Sequence, residues 1–358
     1  MITEQMVDEI VVPTAHDAVW SHDQAVFLDA AQNCGGTVHP LLDALEQIDP
    51  QFLAPLPGLG HTAQRLQFLS AVAATDVTAA RVLEPHLDAV AILAESRESD
   101  DFTRAGHTWG VFAAEGPAST LVAEQHHGAW TLTGTKPWCS LGGRLSNALV
   151  TARTTADESR LFRVDLRQGE VHSADARWVA RGLADVESGP LVMDAAAATP
   201  VGRGGWYLSR PGFRWGGIGV AACWWGGCVP LFAAIVRKNA QGDPKPLTTS
   251  RVGRLYRALE SARVILERSA AYIDSAAARE SEDADDMAVL AHTARGVVAD
   301  AVDETLAAVR DILGPPALAF DEPTARRCAD LELYASQYHR GGDDASLGAH
   351  LDSAGSWW

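Results

Sequence analysis

The sequence is poor in positive charge. Its 358 residues include 29 Lys and Arg against 46 Asp and Glu, which gives a formal net charge of −17 and a pI near 5.0. Nucleic acids and anionic membrane surfaces both bind proteins through clustered Lys and Arg. We therefore expect neither as a partner, and the composition fits an acidic, soluble protein.

Cysteines and uninterrupted apolar runs are also scarce. The five cysteines are odd in number and lack the paired spacing of a metal site, and no charged-then-apolar leader opens the chain. We therefore expect a reducing, cytoplasmic setting. Gly, Pro and charged residues interrupt each candidate apolar run, so the sequence predicts no membrane span. Cys223 and Cys228 fit small buried residues of a helix better than a redox pair.

Apolar residues make up 47% of the chain, enough to fill more than one core. Residues 1–104 show apolar positions at helical spacing and predict three or four packed helices. Residues 105–205 change to short runs rich in Val, Thr, Trp and Leu, which predicts a small β-sandwich or β-barrel domain. Residues 206–358 carry two long apolar stripes typical of a helical bundle. Bundles of this kind often bury remaining apolar faces by self-association, which predicts a homo-oligomer.

The most informative segment runs from Ala129 to Ser140. Its alternating aromatic and β-branched residues predict a strand. Pro137 interrupts the ladder, so that Trp138 and Ser140 can face something other than a neighbouring strand. An indole plane and a hydroxyl two residues apart suit a flat heterocycle. The competing interpretation is a tryptophan in an ordinary sandwich core.

This segment and Phe112–Ser119 resemble the middle domain of acyl-CoA dehydrogenases, where a TEPGAGS-like loop precedes a strand of the type L-x-G-x-K-x-W-I-T/S. The resemblance continues through Arg237–Asn239 and Ile312–Gly314 and covers most of the chain. It implies an N-terminal α-helical domain, a middle β-sandwich or barrel domain and a C-terminal four-helix bundle. It also implies FAD binding, thioester chemistry and a homodimer or homotetramer. Acyl-CoA is a polyanion, however, and would need a local basic patch on so acidic a protein.

The resemblance also suggests cofactor contacts. Trp138 and Ser140 would flank and hydrogen-bond the flavin ring, and Ala113 and Gly314 would contact the cofactor. Arg237 would reach the FAD diphosphate of a neighbouring subunit, a role that suits a bidentate guanidinium. A solvated helix end explains Arg237 equally well.

Two further residues are candidate substrate contacts. Ser119 matches the serine that lies near the CoA arm in the family, and Arg214 matches an arginine near the active-site loop. A surface turn is an equally good explanation of each. His126 and His127 have no third ligand in sight, so no metal site is predicted.

The chain departs from the family pattern near the proposed diphosphate site. Asp311 stands where the family usually has Gln, and Pro315 stands where a second Gly is usual. A carboxylate at this point would repel a diphosphate. These departures predict that FAD binding is weak or lost.

The family's usual catalytic glutamate is absent. Tyr338 occupies its place, with His339 beside it, and histidine titrates in a suitable range whereas tyrosine is a poor base near neutral pH. Some family members carry the base on a preceding helix. There Glu260 and Glu267 fit an exposed helix face better than a base.

Three functions remain open. The first is an acyl-CoA dehydrogenase-like flavin-dependent oxidoreductase that acts on a small acyl thioester or a related substrate. The second is a flavin-dependent monooxygenase or hydroxylase of the same fold, which needs no glutamate base. In it His339, oriented by Asp343 or Asp344, is the candidate catalytic residue, although a polar C-terminal loop explains these residues too. The third is a non-catalytic binding or scaffolding protein.

Overall fold

The computed structural model describes residues 20–97, 105–116, 119–154, 158–241, 245–278 and 284–353. Within these residues, helices precede and follow a central group of strands, in agreement with the predicted order. The helices are α1 (His22–Asn33), α2 (His39–Gln47), α3 (Pro50–Leu53), α4 (Thr62–Thr75), α5 (Val77–Ser96), α6 (Trp206–Ser209), α7 (Gly212–Ala240), α8 (Pro246–Ala278), α9 (Ala284–Ala308), α10 (Gly314–Phe320), α11 (Glu322–Ala335) and α12 (Arg340–Ser353), with a π-helical turn at Val309–Leu313. The strands are β1 (Trp109–Phe112), β2 (Val122–His126), β3 (Ala129–Ser140), β4 (Asn147–Arg153), β5 (Ser159–Asp165), β6 (Val171–Ser173) and β7 (Ser188–Val201).

The strands close into a barrel. Antiparallel pairs join β2 to β3, β3 to β7, β7 to β5 and β5 to β4, and a parallel pairing between β4 and β2 completes the ring. β1 adds in parallel to β4, and β6 pairs with β7. Leu132, Val150 and Phe162 are fully buried, as alternation along barrel strands requires. All the described strands fall within residues 105–205, although the three domain boundaries themselves remain a prediction.

Helix α7 is the core of the helical part. It corrects the expectation that Gly, Pro and charged residues interrupt each candidate apolar run. Its 29 residues are long and apolar enough to cross a membrane by length and composition, yet 78% of its most apolar stretch is buried inside the structure. Its glycines lie inside the helix at close contacts with neighbouring elements and do not interrupt it. A Cβ on Gly226 would overlap the backbone of Ser70 on α4, so only glycine allows the two helices to approach this closely.

Cys223 and Cys228 lie on α7 and are fully buried. Burial raises the pKa of both thiols, to about 12 for Cys228. A thiol that stays protonated at neutral pH is a poor nucleophile. Both side chains therefore act as small packing residues, as the sequence indicated.

The segment after β1 is fastened to the middle of β3. Gly134 has a φ of +123°, and a Cβ there would overlap the carbonyl oxygen of Thr120. Two residues further on, Lys136 is fully buried, and its Nζ donates to Glu115 Oε1 at 2.6 Å and to Thr151 Oγ1 at 2.8 Å. The loop and the strand are thus joined immediately before Trp138.

Replacement of Gly134 by alanine should destabilise this junction. The new Cβ would overlap Thr120, and alanine would have to adopt a positive φ that favours glycine. We therefore expect the free energy of unfolding to fall by about 2 kcal/mol. Chemical denaturation of wild type and Gly134→Ala measures the loss. Gly116→Ala is the matched control, because a Cβ there meets no atom within 4 Å. Equal stability of the two variants would contradict the role assigned to Gly134.

Candidate functional site

Trp138 points out of the barrel. The pairing of β3 with β7 shifts register between Lys136 and Cys139, and Trp138 lies in this bulge with a φ of +59°. A left-handed backbone at a bulky residue is strained and needs support from its surroundings. The side chain is 63% exposed. The interpretation as an ordinary core tryptophan is therefore wrong, because the bulge turns the indole away from the barrel interior.

Ser140 is held in place by two neighbours. Its Oγ lies 2.8 Å from Ser188 Oγ on the adjacent strand and accepts a hydrogen bond from Arg81 Nη2 on α5 at 2.9 Å. The hydroxyl is oriented before any ligand arrives, which favours specific recognition. These two contacts leave one of the three hydrogen-bonding positions of the hydroxyl open to a ligand.

A series of contacts between polar side chains leads from Arg81 into the helical part of the structure. The guanidinium carbon of Arg81 lies 5.6 Å from the ring centre of Tyr334 on α11, a cation–π distance. The Tyr334 hydroxyl donates to Glu84 Oε2 at 3.4 Å. Burial raises the pKa of Glu84 to about 7, although the charge of Arg81 opposes the rise. Glu84 can therefore change its protonation state near neutral pH.

A cavity of about 380 Å³ lies between α4, α5, α7 and α8. Glu84 lines this cavity, whereas Trp138 and Ser140 do not. Because Glu84 also accepts the Tyr334 hydrogen bond, it connects the cavity to the contacts around Arg81 and Ser140. Sequence reasoning missed Arg81 and Glu84. The available signal was a set of charged residues on the otherwise apolar helix α5.

The loop after β1 places the next candidates. Ala113 is half-buried directly after β1. Ser119 hydrogen-bonds through its side chain to Glu115, the carboxylate that also pairs with buried Lys136. Ala113 and Ser119 are thus held on the segment that the structure fastens to β3. Their roles toward cofactor and substrate stay predictions.

The candidates for a diphosphate contact lie elsewhere in the fold. Arg237 is exposed in the last turn of α7, and Gly314 follows the π-helical turn with a φ of +70°. Asp311, which we expected to repel a diphosphate, forms an ion pair with Arg251 of α8. The cation offsets the negative charge of this carboxylate, so the electrostatic objection to a diphosphate is weaker than the sequence suggests.

The C-terminal candidates make contacts that the sequence did not indicate. His339 is exposed, and its backbone N–H donates to Asp343 Oδ2 at 2.8 Å, while Asp344 Oδ1 accepts from the Tyr338 hydroxyl at 2.6 Å. In these contacts Asp343 binds the main chain of His339 and Asp344 binds another residue. A catalytic role for His339 stays a prediction. Arg214 is half-buried in the first turn of α7, and its charge adds to the effect of burial in lowering the pKa of His292.

Other charged candidates have structural roles. On α8, Arg263 pairs with both Glu260 and Glu267, and this contact lowers the pKa of Glu260. An ion-paired carboxylate on a partly exposed helix face is not suited to act as a base, as expected. His126 and His127 lie at the turn between β2 and β3. Within the described residues no group of His, Cys, Asp and Glu could hold a metal ion.

Solved structures show which fold this is. The chain is similar to KijD3 in complex with dTDP (17% identity, TM-score 0.78, covering 95% of this chain and 100% of that one). It is also similar to TdsC from Paenibacillus sp. A11-2 with FMN and indole (14%, 0.75, 92% and 97%) and to butyryl-CoA dehydrogenase from Megasphaera elsdenii (17%, 0.73, 94% and 99%). No family model and no curated protein matches the sequence. The chain has the acyl-CoA dehydrogenase fold, which confirms the predicted architecture.

The buried position of Glu84 predicts how stability depends on pH. Burial raises its pKa to about 7 in the folded protein from the 4.5 of a solvent-exposed glutamate, so folding favours the protonated form. The contribution to stability is complete below pH 4.5 and is lost as the pH rises through 7, by about 3 kcal/mol. Glu84→Gln should therefore become more stable relative to wild type between pH 5 and 8.

Urea unfolding at several pH values measures this difference. Glu170→Gln, which removes an exposed carboxylate in the turn before β6, is the control and should follow wild type across the range. A Glu84→Gln curve parallel to that of wild type would show that Glu84 is ionised at both ends of this range.

Proposed function

We propose that the chain is a flavin-dependent oxidoreductase that acts on a small molecule. The observation that carries the proposal is the exposed indole of Trp138, which a strained bulge holds outside the barrel two residues from an oriented serine hydroxyl. An exposed aromatic face beside a fixed hydroxyl matches the shape and polarity of an isoalloxazine ring. Two structural neighbours with this fold, KijD3 and TdsC, were solved with FMN.

The residues present are compatible with a flavin. Trp138 would cover one face of the ring and Ser140 would hydrogen-bond its edge, with Ala113 nearby. For FAD, Gly314 and Arg237 of a second subunit would contact the diphosphate, and the pairing of Asp311 with Arg251 lowers the repulsion there. The flavin itself would supply the electron transfer. We place this protein in the cytoplasm as a homodimer or homotetramer.

The second candidate function, flavin-dependent oxygenation, is favoured by the C-terminal segment. At the position of the missing glutamate, the Tyr338 hydroxyl is bonded to Asp344, and burial raises its pKa above the ordinary range. Tyr338 is therefore a poor proton acceptor for desaturation of an acyl thioester. Oxygenation does not require a proton acceptor at this position. Ser119, Arg214 and His339 remain the candidate substrate and catalytic contacts for either reaction.

Flavin binding tests the proposal directly. We expect the purified protein to bind FAD or FMN in an equilibrium titration, and Trp138→Ala or Ser140→Ala to weaken binding at least about fivefold, since stacking and a hydrogen bond are each worth about 1 kcal/mol or more. Phe52→Ala removes another exposed aromatic residue, on α3, and should leave binding unchanged. A protein that takes up neither flavin would favour the scaffolding function.

The reaction type is separated by a second experiment. If the protein desaturates acyl thioesters, a panel of short acyl-CoAs will bleach the bound flavin under anaerobic conditions. If it is an oxygenase, as Tyr338 favours, no acyl-CoA will bleach the flavin, and turnover of a substrate will require reduced flavin and oxygen. Rapid anaerobic bleaching by butyryl-CoA would contradict the preference for oxygenation.

A further inference from the structure

The 380 Å³ cavity between α4, α5, α7 and α8 contains buried charge that the protein does not fully pair. Glu84, Asp88 and Glu95 of α5 line it at intervals of four and seven residues, and therefore on one face of the helix. Arg65 of α4 and Arg210 line it as well. Buried charges are costly unless they are paired and hydrogen-bonded, so the contacts of each group show where a ligand is needed.

Arg65, Arg210 and Glu95 already have hydrogen-bond partners within the protein. Arg210 Nη1 donates to Glu95 Oε2 at 2.7 Å, and the Gly212 backbone N–H donates to the other oxygen of Glu95. Arg65 Nη1 donates to the carbonyl oxygen of Pro55 at 3.2 Å. Arg97 also lines the cavity, but it is exposed at the end of α5.

Among the described residues, Glu84 has one long hydrogen bond, and Asp88, which is half-buried, has none. Glu84 is 8% exposed, and among the described residues its only hydrogen bond comes from Tyr334, at 3.4 Å to one of its two oxygens. Asp88 receives no hydrogen bond and forms no ion pair within the described part of the chain. Burial raises the pKa of both carboxyl groups even though Arg81 and Arg65 act on Glu84, and Arg210 and Arg65 act on Asp88.

Charge balance then indicates the ligand. Of the charged groups that line the cavity, Glu84, Asp88 and Glu95 bring three carboxyl groups, and Arg65 and Arg210 bring two buried guanidinium groups besides the exposed Arg97. Arg81 lies outside the lining, where it donates to Ser140. One positive charge with several N–H donors would complete this set, and an ammonium group has both.

The rest of the wall is apolar. Leu59, Leu66, Leu69, Ile273 and Ala277 line the cavity together with the aromatic side chain of Trp215. Such a wall favours a hydrophobic body on the ligand. A plain alkyl chain would leave the two carboxyl groups buried beside it without donors, at a cost in free energy.

We propose that this cavity binds the substrate as a small organic amine, with its ammonium group between Glu84 and Asp88 and its apolar body against α4 and α8. The inference rests on the proposed function, because it names an amine as the substrate class for that function. It also argues against an aliphatic acyl chain in this cavity.

Calorimetric titration with matched probes tests the inference without turnover. We expect 2-phenylethylamine to bind at pH 8 at least tenfold more tightly than its neutral analogue 2-phenylethanol and its anionic analogue 3-phenylpropanoate. Asp88→Asn and Glu84→Gln should each weaken amine binding about tenfold and leave binding of the alcohol unchanged. Asp29→Asn, which changes an exposed carboxylate on α1, should behave as wild type. Circular dichroism and thermal melting establish that each variant is folded.

The pH profile gives a second readout. Because Glu84 has a pKa of about 7, amine binding should strengthen from pH 6 to pH 8 in wild type, and less so in Glu84→Gln. Equal or tighter binding of the alcohol or the anion, no amine binding, or unchanged amine binding in both cavity variants would overturn the inference. Flavin titrations of the same samples separate the two proposals. Flavin uptake without amine preference refutes only the amine site, and amine preference without flavin uptake refutes the oxidoreductase.

Discussion

The buried ammonium group of Lys136 is the interaction on which the proposed flavin site depends. A fully buried charge is tolerated only when it is paired and hydrogen-bonded, and here Glu115 and Thr151 supply both contacts. The pairing fixes the loop after β1 against β3. With Lys136 anchored inside, the bulge that follows can place Trp138 outside the barrel in a strained left-handed conformation.

A second chain of contacts joins the barrel to the helices. It leads from Ser188 and Ser140 through Arg81 to Tyr334 and then to Glu84 at the cavity wall. The proposed ring-binding surface and the proposed substrate cavity therefore share polar neighbours. A change in the charge of Glu84 would act on Tyr334 and Arg81, since charges interact strongly where water is excluded. This arrangement gives a physical route by which the charge of a ligand in the cavity acts on the proposed ring-binding surface.

Local patterns explain what the sequence could predict. Strand alternation and Pro137 lie within a dozen residues, so Trp138 and Ser140 could be identified as site candidates from the sequence alone. The partners of Ser140 and Tyr334 could not, because Arg81 is 59 residues from Ser140 and Glu84 is 250 residues from Tyr334. Pairing of Asp311 with Arg251 was hidden for the same reason. The glycines of α7 were wrongly taken as interruptions of an apolar run, because glycine occurs both where a helix ends and where two helices pack closely.

The central claim is that the indole of Trp138 lies against a bound flavin ring. The fluorescence lifetime of the flavin in the protein tests it most directly, because an indole in contact with the ring quenches its excited state by electron transfer. We expect a strongly shortened lifetime in wild type and a clear recovery in Trp138→Phe. The same lifetime in both proteins, or a wild-type protein that retains no flavin, would contradict it.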